Sequence, residues 1–245
     1  MGMGEAFANF GAVRNATLRM INELGIGARH ITISTVGLAP RIRQLAREPT
    51  LKSIGLAVSL HSVDDVERSK IMPVNRRFPI AELMDACKEY VDVSGRRITF
   101  EWALIAGVND DAATARALAA RLLGAGLRGR CHVNVIPLNP TAGFRGGPSR
   151  KRAVDGFIAT LEAKGVPATI RVRRGIDIDA GCGQLTAKVV EKQKTKAKTA
   201  AAATKAQAVF AAAVAAVPPA DEAAPSHDQA TDGGGCAGAE AEPRP

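Results

Sequence analysis

The feature that most constrains this chain is an alternation. Short runs rich in β-branched and other apolar residues lie at positions 30–36 (HITISTV), 54–61 (IGLAVSLH), 97–105 (RITFEWALI), 131–138 (CHVNVIPL) and 168–173 (ATIRVR). Between them, apolar residues recur at helical spacing over 40–47, 79–92, 111–123 and 149–164. The runs read as strands and the spacings as helices. A helix between successive strands returns the chain to the same edge of a sheet, so the strands pair parallel. Before the first run, Val13, Leu18, Ile21 and Leu24 predict one more helix, with Gly25 as its C-cap. The fold class is therefore α/β, built of βα repeats, and the apolar strands predict a sheet covered on both faces.

This pattern stops near residue 187. Residues 188–217 are dominated by lysine and alanine, strong helix formers with little to bury, and read as a probable helix. Residues 218–245, opening on Pro218-Pro219 and rich in Pro, Gly, Asp and Glu, read as a disordered tail. The formal net charge of +9 resides in residues 1–187, because six lysines against Glu191 in 188–205 are balanced by six acids against Arg244 in 206–245. A basic folded domain suits a polyanion such as RNA. No apolar run approaches the roughly 18 residues that cross a bilayer, so no membrane partner is expected. The start, MGMGEAFANF, lacks the charged and apolar regions of a signal peptide. It is a glycine-rich turn with no strand before it, as expected of a sequence that begins inside a repeat, N-terminally truncated.

The four cysteines, Cys87, Cys131, Cys182 and Cys236, are scattered and form no CxxC pair. Neither a disulfide framework nor a self-contained metal site is expected, and a reducing compartment is the natural reading, cytoplasmic with an organellar location as the alternative. Cys182 stands apart because Gly181 and Gly183 flank it, leaving its sulfur without side-chain cover. Arg171, Arg173 and Arg174 would lower its pKa, while Asp177 and Asp179 would raise it. The same residue also reads as a small buried side chain in a turn.

In βα-repeat folds, function gathers where the strands end. Here those ends carry Gly4-Glu5 in the opening turn, Ser34-Thr35, Ser59-Leu60-His61 and Leu138-Asn139-Pro140. A carboxylate, hydroxyls, an imidazole and a carboxamide on one rim suit a small polar ligand such as an amino acid joined to a ribose. Each group has a plainer role. Glu5 could sit at a helix N-terminus, Ser34 and Thr35 could cap the turn before Gly37, His61 could be a satisfied edge histidine, and Asn139-Pro140 is a turn signal. Glu101, in mid-strand, could face either side of the sheet, and His30 and His132 open their strands at the opposite end.

Six ordered blocks go further: MGMGE at 1–5, ITIST at 31–35, GLAVSLH at 55–61, IMPVN at 71–75, NVIPLNP at 134–140 and GIDIDAGCGQL at 175–185. In order and spacing they resemble the radical SAM adenine-C2 RNA methyltransferases, dual-specificity enzymes acting on large-subunit rRNA and on tRNA. The resemblance covers residues 1 to about 190 and implies a partial (β/α) barrel of the radical SAM type. It implies that Gly4 and Glu5 bind the amino group of S-adenosylmethionine, and that Ser34, Ser59, Leu60, His61 and Asn139 make its other contacts. It further implies that Cys182 carries the methyl group, that a 4Fe-4S cluster and a reducing electron-transfer partner generate a radical, and that rRNA and tRNA are the substrates. A sister family that modifies C8 of adenine shares much of the pattern.

The chain departs from that family at one point. The CxxxCxxC loop that holds the cluster should precede GMGE, and nothing precedes it here; the resolving cysteine and a general-base glutamate are missing with it. Cys87, Cys131 and Cys182 are too far apart to replace it, so no metal-ligating residues are assigned. Ala6 replaces the usual proline after Gly-Glu. The expectation is the C-terminal two-thirds of such a methyltransferase, inactive alone. A non-catalytic RNA-binding remnant is the alternative; a barrel lyase is disfavoured by the lack of a strand-end lysine or phosphate loop.

Overall fold

The structure, a computed structural model, describes residues 4–138 and 146–171. The chain runs α1 (Phe10–Asn22), β1 (Thr32–Thr35), α2 (Ala39–Arg47), β2 (Gly55–Ser59), α3 (Asp65–Ile71), α4 (Ile80–Ser94), β3 (Ile98–Leu104), α5 (Ala112–Gly124), β4 (Cys131–Pro137), α6 (Lys151–Ala163) and β5 (Ala168–Ile170). All neighbouring strands pair parallel, and their order in the sheet is β1-β2-β3-β4-β5. That sequential order is the wall of a (β/α) barrel, as expected. A doubly wound sheet would reverse direction partway across.

Local chemistry sets the boundaries. The Asp111 side chain accepts hydrogen bonds from the Ala113 and Thr114 amides and starts α5, while Gly95, at φ 66°, ends α4 in the left-handed conformation glycine tolerates. Asp64 caps the Glu67 amide and starts α3, a helix that the apolar periodicity does not reveal because Val66 and Ile71 are exposed. The first helix ends at Asn22, with Gly25 in the left-handed turn that follows.

Strand side chains divide by parity. Ile33, Leu56, Val58, Ile98, Phe100, Trp102, Leu104, Val133 and Val135 are buried in one hydrophobic cluster with the helices. Trp102 stacks on Phe157 of α6, with ring centroids 6.0 Å apart. The opposite face, called inner here, carries Ser34, Ala57, Ser59, Thr99, Glu101, Ala103, His132, Asn134 and Ile136. Along β4 buried residues alternate with half-buried ones, and Thr169 and Ile170 of β5 are exposed. The strands are thus less evenly covered than their apolar runs predict. One face is packed by helices; the other is polar and partly open among the described residues. No helix among them is long and apolar enough to cross a membrane. The boundaries expected at residues 187 and 217 lie outside the described residues.

Candidate active site

The rim begins with Glu5. Its Oε1 accepts from the Phe7 amide at 3.0 Å and the Thr35 hydroxyl at 2.7 Å, and its Oε2 accepts from the Val36 amide at 2.7 Å. Glu5 therefore caps the turn after it, the plainer of its two expected roles, and also ties that turn to the end of β1. Of the roughly four acceptor directions of a carboxylate, the described residues use three. Gly4 takes φ 78°, which a side chain would strain, and its Cα faces open space.

Next to it, Arg68 of α3 is fully buried. Its guanidinium donates to the carbonyls of Val36 (2.8 Å), Ser59 (2.9 Å) and Leu60 (3.0 Å), and to Asn75 Oδ1 (2.8 Å). Asn75 in turn donates to Asp65 Oδ1, which also accepts from the Ile80 amide. The ends of β1 and β2 are thus clamped through the segments ERS and IMPVN. Burial lowers the Arg68 pKa to about 10, so it stays charged at neutral pH. Arg68 was not singled out from sequence; its only signal is its place just before the IMPVN block.

Beyond the clamp the chain enters Ser59-Leu60-His61. The Leu60 side chain is buried in the core, its amide donates to the Glu101 carbonyl at 3.1 Å, and its carbonyl accepts from Arg68 and Ser62. His61 adopts φ 60°, rare for a residue with a side chain, and its Nδ1 accepts from the Ala103 amide at 3.0 Å. Burial, with the nearby Arg68 charge adding to it, lowers its pKa to about 4. The imidazole is neutral at physiological pH, and because Nδ1 accepts, the proton resides on Nε2, a donor without a partner among the described residues.

The described residues leave other polar groups unsatisfied here. The Ser34 and Ser59 hydroxyls have no hydrogen-bond partner among the described residues, though Ser59 is only 8% exposed. Glu101, 5% exposed, points to the inner face, where its Oε2 accepts from Asn134 Nδ2 at 2.8 Å. Desolvation raises its pKa, with the Asn134 hydrogen bond and then the Arg171 charge opposing. At the opposite end of the sheet, where the sequence places it, His132 Nε2 pairs with Thr169 Oγ1 at 3.1 Å.

The described cysteines are not at the rim. Cys87 is fully buried in α4, where desolvation pushes its thiol up, and Cys131 opens β4 at the far end, pushed up to about 11 by burial. Neither is a thiolate, and no group of three or more His, Cys, Asp or Glu among the described residues is arranged to hold a metal ion. Asn139 and Cys182, both expected at the site, lie outside the described residues.

No family model matches the chain. It is 49% identical over 203 residues to the dual-specificity RNA methyltransferase RlmN 1 of Myxococcus xanthus, a match covering 82% of this chain and 55% of that protein. It is also 49% identical over 191 residues to a probable dual-specificity RNA methyltransferase RlmN of Corynebacterium glutamicum, covering 76% and 51%. Among solved structures, a radical SAM methyltransferase from Sphaerobacter thermophilus superposes with a TM-score of 0.69 at 49% identity, covering 75% of this chain and 53% of that one. The chain spans about half the length of the curated relatives it matches.

Proposed function

This chain is homologous to the radical SAM dual-specificity RNA methyltransferases over about half their length, and on that premise we propose that it is the S-adenosylmethionine-binding, methyl-accepting part of an RNA adenine methyltransferase. The observation that carries this reading is the open rim. Ser34, Ser59 and the Nε2–H of a neutral His61 lie at the strand ends with hydrogen-bonding capacity unused by the described chain. Those groups suit a ligand that combines an amino acid's charges with a ribose. Glu5 adds one acceptor for an ammonium, and Asn139 is proposed as a further contact.

S-adenosylmethionine, when bound, supplies an electrophilic methyl group. The residue proposed to accept it is Cys182: its Sγ forms a bond to the methyl carbon as the sulfonium carbon–sulfur bond breaks, leaving S-adenosylhomocysteine, and the thiol proton passes to solvent. The final target is proposed to be C2 of adenosine in large-subunit rRNA and in tRNA, in the cytoplasm. The described residues do not fit a 4Fe-4S cluster, and the chain has no CxxxCxxC; no step through a cluster, nor through the reductant that would feed one, is assigned to them.

Incubation with methyl-labelled S-adenosylmethionine, followed by peptide mass spectrometry, tests the assignment. Label on Cys182, lost in Cys182→Ala, is the expected result. Label elsewhere, or full adenosine methylation by Cys182→Ala in a reconstituted full-length protein, overturns it.

One observation favours a second reading. The formal net charge of +9 suits binding to a polyanion such as RNA, as in a non-catalytic RNA-binding protein. RNA affinity that falls steeply with salt, with no transfer of label to Cys182, would select it.

A further inference from the structure

The later strands of the sheet are entered through cations. Arg96 and Arg97 precede β3, Arg128 and Arg130 precede β4, and Lys164 precedes β5. These entry points adjoin. The Ile98 amide donates to the Arg130 carbonyl at 3.0 Å, and Arg128 Nη1 lies 3.6 Å from the position that a Cβ on Gly165 would take. Arg130 also reaches α4, where Asp92 accepts from it at 2.6 Å and from Lys88 at 2.5 Å. The Arg97 charge acts on Cys131 and His132, which places it over the same end of β4. Six cations therefore form one continuous surface at the end of the sheet opposite the rim.

Little in the described chain neutralises them. The segments that carry them, 88–97, 126–132 and 162–165, hold three carboxylates, and one of these, Glu89, is turned to Arg43 and Arg47 of α2. Asp92 and Glu162 are left. Arg97, Arg128 and Lys164 are exposed and make no side-chain hydrogen bond or ion pair among the described residues, and Arg96 Nε is buried without a partner. Like charges gathered in this way repel, and a polyanion laid across them removes that cost. Four of the six are arginines, whose guanidinium fork matches phosphate oxygens in pairs. Of the exposed large apolar residues, those segments hold Val93 alone, too little for the apolar centre of a protein–protein interface. A phosphate backbone therefore fits this surface better than an acidic protein does.

We propose that this surface binds the phosphate backbone of the RNA substrate, at the end of the sheet away from the rim. This inference rests on the reading of RNA as the substrate given above. β3 and β4 each run seven residues, which puts about 20 Å between the surface and the rim. An RNA that presents an adenosine at the rim must extend along the sheet to reach these cations. A folded RNA has that reach and a single nucleotide does not.

The test is fluorescence anisotropy of a labelled RNA hairpin titrated with the complete 245-residue chain over a range of salt. A chain carrying Arg97→Gln, Arg128→Gln and Lys164→Gln should bind about tenfold more weakly or worse at about 0.1 M salt. Its salt slope should fall by about two to three, roughly one for each lost phosphate contact. Arg19→Gln, Arg41→Gln and Arg47→Gln together remove the same charge from exposed positions of α1 and α2 and should leave the slope within about one of the parent. Thermal melting reports whether both variants fold. Protection of Arg97 and Arg128 from phenylglyoxal by the same hairpin reads the contact in the unaltered chain. An unchanged slope in the first variant with both arginines unprotected, or an equal fall in the two variants, overturns the proposal and leaves the RNA reading intact. Binding of poly-L-glutamate that is tighter than that of the hairpin, and lost in the first variant, overturns it in favour of an acidic protein partner. A parent that does not bind the hairpin overturns both.

Discussion

Arg68 and Glu101 are both charged side chains sunk into this fold, at 0% and 5% exposure, and their surroundings are opposite. Arg68 gives its donors to three strand-end carbonyls and one amide oxygen, all from the chain itself. Among the described residues Glu101 has one side-chain partner, Asn134. A buried charge whose valences are filled by its own chain is architecture. One whose valences are partly unused by the described residues keeps acceptor capacity to spare. Among the described residues the same distinction sorts the rest of the rim: Glu5 is mostly satisfied, His61 is half satisfied, and the Ser34 and Ser59 hydroxyls have no partner.

The largest effect should come from breaking the satisfied member. Arg68→Met removes the guanidinium donors from the Val36, Ser59 and Leu60 carbonyls and from Asn75 Oδ1 at once, leaving the Leu60 carbonyl only its Ser62 amide. Urea denaturation should show a loss of about 3–5 kcal/mol, the range for a broken buried charged network. Glu101→Gln, by contrast, should change stability by less than about 1 kcal/mol. If Arg68→Met were as mild as Glu101→Gln, filled valences would not be what separates the two.

His61 tests the half-satisfied case through pH. Its folded-state pKa is about 4 against an ordinary 6.5. Above pH 6.5 both folded and unfolded forms are neutral. Between 6.5 and 4 the unfolded chain takes a proton that the folded chain refuses, so stability falls as pH drops; below 4 both are protonated and the loss stops. The full step is at most about 3 kcal/mol. Denaturation curves at neutral pH and near pH 4 should differ less for His61→Gln than for the parent. An equal acid-side loss in both would mean that the imidazole is not held neutral.

Much of the scaffold was legible because β-branched runs and helical spacings report burial directly, and burial on the helix-covered face is what builds β1 to β5. What escaped follows from the same cause. α3 forms around a buried charge, with Asp64 capping it and Arg68 turned inward, and apolar periodicity is blind to that. Glu101 was undecided from sequence because alternation gives parity without saying which face is inner; the helix packing of Phe100 and Trp102 decides it, and the Asn134 contact agrees. Glu5 was legible as a polar rim group, but the sequence could not show that three chain donors would occupy it.

Glu5 therefore belongs nearer Arg68 than Glu101. Glu5→Gln keeps the shape but places an amide hydrogen where the carboxylate accepts, so either the Val36 amide or the Phe7 and Thr35 pair loses its partner. A stability loss of about 1–2 kcal/mol is expected. With one acceptor direction unused by the described residues, a loss of S-adenosylhomocysteine affinity should accompany it. Affinity lost with no change in stability would move Glu5 into the class of Ser34 and Ser59.

The smallest stability effect should be at Ser34, whose hydroxyl has no partner among the described residues. Deleting an unpaired, half-buried hydroxyl strands nothing, so Ser34→Ala should stay within about 0.5 kcal/mol of the parent. Binding should respond where folding does not: a neutral hydrogen bond to ligand corresponds to a loss of about three- to tenfold in S-adenosylhomocysteine affinity. Arg68→Met and Ser34→Ala then mark the two ends of one scale, the first read in denaturant and the second only in the calorimeter. A Ser34→Ala protein that unfolds early but binds normally would show that its hydroxyl serves the chain, and that an open valence in this rim does not by itself mark a ligand contact.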